Sequence, residues 1–206
     1  MNDEKRMAGN YEIIQSIHIG DREVVFGENK NSEPDARYIC GFCVTNELFQ
    51  QYEDCTVGDD YLEIMGLFTG RVNEQMNMVA AEREKVTVPM EVITAEQCYP
   101  NDLGESINGK VVAVRADVLR REYQTADRQI VLVTGGFGAN ANSRGNAVFC
   151  TNLYHGKHTR WERRDIQGEV KPEHIPAWAK ERLAAIQSEK GTAQPNIEKK
   201  DKGDAR

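Results

Sequence analysis

The sequence predicts an α+β protein in two parts: an N-terminal antiparallel sheet covered by one long helix, then a β-rich small curved sheet or partial barrel with a C-terminal helix. Three observations lead there. Short β-branched runs separated by glycine- and asparagine-containing breaks fill residues 11–57 and again 110–163. Apolar residues at steps of three and four run from Tyr61 to Val79. The charge also changes sign along the chain: residues 11–84 carry 15 acidic and 5 basic side chains, whereas residues 109–164 carry 4 and 10, within a net charge of -7 over 206 residues.

Taken in order, Tyr11 to Ile19 and Glu23 to Phe26 read as a β-hairpin turned at Gly20-Asp21. Asn29, Asn31 and Pro34 break regular structure before a strand at Tyr38 to Thr45, and a weaker strand covers Phe49 to Val57. Asp59-Asp60 supply helix-start acids, and the stripe Tyr61, Met65, Phe68, Val72, Met76 and Val79 predicts a helix from Asp60 to Glu84. Pro89 keeps Val86 to Ile93 extended and off a central strand. Strands follow at Lys110 to Arg115, Gln129 to Thr134, Ala147 to Leu153 and Thr159 to Arg163, then a helix at Ile175 to Ser188 with Pro176 in its first turn. The domains expected are an acidic ββββα unit at 11–85 and a basic β-rich unit at 91–188. A disordered tail rich in Lys, Asp and Gly is expected at 189–206.

No stretch approaches the roughly 20 apolar residues that span a bilayer, and the charged N-terminus lacks an apolar signal core. A cytoplasmic protein without a membrane partner is the expectation. Five dispersed cysteines, Cys40, Cys43, Cys55, Cys98 and Cys150, suit reduced thiols rather than a disulfide framework.

The segments Tyr11–Asn29, Gly58–Val72 and Gly135–Thr151, followed by His158-Thr159-Arg160-Trp161-Glu162-Arg163, resemble uncharacterised accessory proteins of conjugative and other mobile elements from gut bacteria. The resemblance spans both domains and implies a setting, mobile DNA in a bacterial cytoplasm, rather than a reaction.

Two features read as candidate sites. The loop Gly135-Gly136-Phe137-Gly138 to Gly145 can form an anion-binding concavity with Arg144 as a clamp. The context favours a structural hairpin loop instead, because a strand follows it where nucleotide-binding motifs place a helix. The hairpin after it carries Lys157, His158, Arg160, Arg163 and Arg164, a basic strip suited to phosphates, with Trp161 as either a stacking platform or a core anchor. Period-two alternation puts His158, Arg160 and Glu162 on one face and Thr159, Trp161 and Arg163 on the other. Cys40 and Cys43, with Cys55 and His18, admit a metal reading, but packed thiols fit a strand better and no metal or cofactor is expected. Asp54, Asp59, Asp60 and Glu63 read as helix-start acids.

The leading expectation is a non-enzymatic accessory protein that binds a macromolecular partner, nucleic acid first, through the second domain. One alternative is a protein inhibitor of a host defence or conjugation complex, in which the acidic first domain mimics nucleic acid. The other is a nuclease using His155 or His158 as acid and base.

Overall fold

A computed structural model describes residues 5–31, 36–45 and 50–192. The chain forms two compact units divided between Thr87 and Val88.

The first unit opens with a two-residue strand, β1 (Met7–Ala8), followed by β2 (Tyr11–Ile19), β3 (Arg22–Glu28), β4 (Tyr38–Thr45) and β5 (Gln50–Gly58). Each pairs antiparallel with the next, in the order β1-β2-β3-β4-β5. Helix α1 (Tyr61–Glu84) follows. Asp60 caps it, its carboxylate accepting from the backbone N–H of Leu62 at 2.7 Å and of Glu63 at 3.1 Å. Alternate residues of β3 and β4, Val24 and Phe26 with Cys40 and Phe42, meet Ile64 and Phe68 of the helix to form the core. The expected strands and helix stand within a few residues of their predicted bounds; Phe49 lies outside the described residues. The sequence reading lacked β1, which is too short to show alternation.

The second unit contains β6 (Val111–Val114), a single helical turn α2 (Ala126–Gln129), β7 (Ile130–Gly135), β8 (Ala147–Asn152), β9 (His158–Glu162), β10 (Ile166–Glu169) and α3 (Ala177–Thr192). The sheet order is β10-β6-β7-β8-β9, antiparallel throughout. β9 and β10 are therefore opposite edges of a five-stranded sheet, yet only Arg163–Asp165 join them. Flat strands would set those edges about 19 Å apart, and four extended residue steps reach only about 14 Å. The sheet must curl, in keeping with the small curved sheet or partial barrel that the short strands predict.

Its inward face carries Val112, Val114, Val131, Val133, Val148, Cys150 and Ile166, with Trp161 packed against them. Its outer face carries Val111, Ala113, Ile130 and Leu132, against which Trp178, Leu183 and Ile186 of α3 pack. Gln129 is fully buried and ties the extended entry segment to the sheet: its amide accepts from Ile93 N at 2.8 Å and donates to Val114 O at 2.9 Å.

Two expectations need correction. β10 was not anticipated, because Gly168 interrupts its short apolar alternation. The tail does not begin at residue 189, since α3 continues to Thr192; residues 193–206 lie outside the described residues. No helix among the described residues is long and apolar enough to cross a membrane.

Candidate functional site

The β8–β9 hairpin organises the candidate residues. Its register pairs Thr151 with His158, Phe149 with Arg160, Val148 with Trp161 and Ala147 with Glu162. Alternation then sorts the side chains by face. His158 and Arg160 are exposed on the outer face beside Phe149, while Trp161 turns inward, its indole N–H donating to Thr159 Oγ1 at 3.1 Å. Trp161 is thus a core anchor and not a stacking platform. His158 Nδ1 lies 3.1 Å from Thr151 Oγ1. Lys157 and Arg144 are exposed, the first just before β9 and the second in the loop before β8.

Arg163 does not belong to this surface, which corrects its assignment to the basic strip. It is 4% exposed and sits in the turn between β9 and β10. Its Nε donates to Asn101 Oδ1 at 2.8 Å, Nη1 to Gly138 O at 3.1 Å, and Nη2 to Asp102 O at 2.6 Å and Glu105 O at 3.1 Å. Burial pushes this guanidinium below its usual pKa range, and the fork of carbonyl oxygens is what holds the charge there. Arg164 is exposed but pairs with Glu162 at 2.9 Å.

Other positive charges of the second unit are also engaged locally. Lys110 meets Glu169 at 2.7 Å, Arg115 pairs with Asp117, and Arg128 approaches Asp127 at 3.6 Å. The basic excess is therefore narrower at the surface than the count implies. Acids of the first unit are likewise engaged, Glu23 by Arg6 at 2.7 Å, Glu12 by Lys5 at 2.9 Å and Glu28 by Arg37 at 2.7 Å.

The glycine segment joins β7 to β8 through a 3-10 turn at Phe137–Ala139. Gly136 has φ +102, and a Cβ there would lie 2.3 Å from Ala147 O; at Gly138 a Cβ would lie 2.3 Å from Asn146 O. These residues let the loop lie flat on the start of β8. Gly135 pairs with Phe149 in the ladder, and Gly145 sits against Phe137. Backbone N–H groups of Ala139, Asn140, Asn142 and Gly145 already donate within the unit.

Flattening the loop has a consequence at Phe137, which is 76% exposed. Phe149 is 50% exposed. Both rings, with Gly135, Gly136, Asn108 and Asn140, line a concavity of about 310 Å³. Burying such a ring contributes about 1.5–3 kcal/mol, so two rings held in water mark a surface that gains by being covered. The sequence reading passed over both. Phe149 carried a signal, since alternation with Val148 and Cys150 puts it on the face opposite the core.

His155 and His158 occupy different environments. His155 packs edge-on to Tyr154, with ring centroids 4.8 Å apart, and its Nε2 stands 3.3 Å from Asp127 Oδ2. Asp127 is 1% exposed, and among the described residues its Oδ1 has no hydrogen-bond partner. Burial, and then Arg128, pushes the His155 pKa below 6.5 against the opposing pull of Asp127. The unfolded chain therefore binds the proton first on acidification. Stability should be fully present above about pH 6.5 and fall as pH drops toward the lowered value. His155→Gln should flatten that part of the profile, read as urea midpoints at about pH 7.5 and about pH 5.5; an unchanged slope would show that the imidazole is not held neutral.

The metal reading fails on geometry. Cys40 faces α1 within the core, whereas Cys43 turns to the other face of β4 and contacts Thr45. His18 and Cys43 flank Glu23, which is held by Arg6. Among the described residues no group of three or more His, Cys, Asp or Glu side chains is placed to hold a metal ion. Burial raises the Cys40 and Cys98 thiols, and pushes Cys150 up to about 12, which suits unreactive packed thiols. Asp60 acts as a helix cap, as its position predicted.

No protein-family model, curated protein or solved structure matches the chain.

Proposed function

We propose that this chain is a non-enzymatic accessory protein of a mobile genetic element that binds nucleic acid through the outer face of β8–β9. The observation that supports the reading most is the cross-strand arrangement of exposed Arg160 beside Phe149 and exposed His158 beside Thr151. Lys157 and Arg144 extend the positive charge in the flanking turns. Glu162 of the same face is paired with Arg164 at 2.9 Å, and the exposed cations beside it suit a phosphate backbone. The separate engagements of His155 with Asp127 and of His158 with Thr151 favour binding over acid–base cleavage.

Fluorescence anisotropy with labelled DNA and RNA, at about 50 mM and about 200 mM salt, tests the reading. Affinity should fall with salt, and the pair Lys157→Ala with Arg160→Ala should weaken binding about tenfold and reduce the salt slope by about 1–2. Absence of binding at the lower salt removes nucleic acid as the partner.

A further inference from the structure

Building on that reading, we infer that the concavity between Phe137 and Phe149 takes one unpaired base of a single-stranded nucleic acid. A base in a strand has flat apolar faces, a polar edge and an anionic tether, and the site offers a counterpart to each. Phe137 and Phe149 supply aromatic faces, and among the described residues neither ring stacks on another aromatic side chain. The floor at Gly135 and Gly136 carries no side chains that would obstruct a flat ring. Asn108 Nδ2 donates to Asn140 Oδ1 at 2.7 Å. The Asn108 carbonyl and the Asn140 amino group then form an adjacent acceptor and donor. Arg160, opposite Phe149 in the ladder, supplies a cation for the tether.

Other occupants use only part of this set. A free anion leaves the rings uncovered, and a purely apolar group leaves the remaining Asn108 acceptor and Asn140 donor without partners. A base pair is too large for about 310 Å³ to hold with its backbone. One acceptor beside one donor suits an edge of every base, so the site distinguishes a base from its absence rather than one base from another.

The test compares single-stranded DNA and RNA of equal length with a strand carrying a run of abasic sites and with duplex, each against the full chain at low salt. The abasic strand keeps the phosphates and should bind about tenfold more weakly, as should duplex. Phe137→Ala and Phe149→Leu should weaken single-strand binding about 5- to 100-fold with the salt slope unchanged, and Phe149→Tyr should restore it. Equal affinity for the abasic strand, or wild-type affinity in both phenylalanine variants, overturns base insertion while leaving phosphate attraction in place. Failure of every oligonucleotide to bind overturns both. The abasic comparison uses the unmodified protein, so it decides the matter even where a variant folds poorly.

Discussion

Arg163→Ala should unfold the second unit at markedly lower denaturant, with a loss of about 3 kcal/mol or more. The substitution removes a side chain that reaches Asn101, Asp102, Glu105 and Gly138 together from the turn between β9 and β10. The acceptor at Gly138 is buried and the other three are part-buried, and a buried carbonyl left without a donor costs about 1–3 kcal/mol before relaxation. Both tryptophans, Trp161 and Trp178, lie in this unit, so fluorescence against urea follows it directly. A midpoint shift of about 1–3 M is expected. Arg163→Lys should rescue little, because a single ammonium cannot fork to four acceptors. Arg160→Ala, on the exposed face, should stay within about 0.5 kcal/mol of wild type. A midpoint for Arg163→Ala as close to wild type as that would show that the turn does not depend on the guanidinium.

Gly138→Ala is the second large effect. Its methyl would stand 2.3 Å from Asn146 O, and the obstruction is main chain that cannot swing aside. Relief requires lifting the 3-10 turn off β8, which also withdraws Gly138 O from Arg163. A cost of about 2–4 kcal/mol is expected, again by urea midpoint. Pairing it with Arg163→Ala should give less than the sum, because both changes break the same contact. Full additivity would separate the glycine turn from the arginine turn.

Most regular elements were legible because local rules and tertiary packing agree in them. The helix after Asp60 has its cap, its acidic first turn and its three- and four-residue stripe in one stretch, and nothing distant overrides them. The strand at Tyr38–Thr45 was equally plain. Arg163 was misassigned to the surface because its neighbours Arg160 and Arg164 made it one member of a basic strip. Period-two alternation had already placed it on the same side as Trp161, and that signal, not charge, described its burial. Three of its four partners lie about sixty residues earlier, from Asn101 to Glu105, where no local pattern announces a buried cation. The Phe137–Phe149 concavity was hidden for a related reason. Strand register and a close loop approach bring the rings to one hollow, and neither is written in spacing alone.

The two strand orders also imply different schedules for a chain emerging from a ribosome. In the first unit every strand bonds to its immediate predecessor, so its ladder can grow in step with translation. In the second, β6 waits for β10, and Tyr99 N waits for Glu169 O, leaving a hydrophobic strand edge open across more than fifty residues of further synthesis. A nascent chain halted before Ile166 should therefore present a finished first unit and a sticky, protease-sensitive remainder.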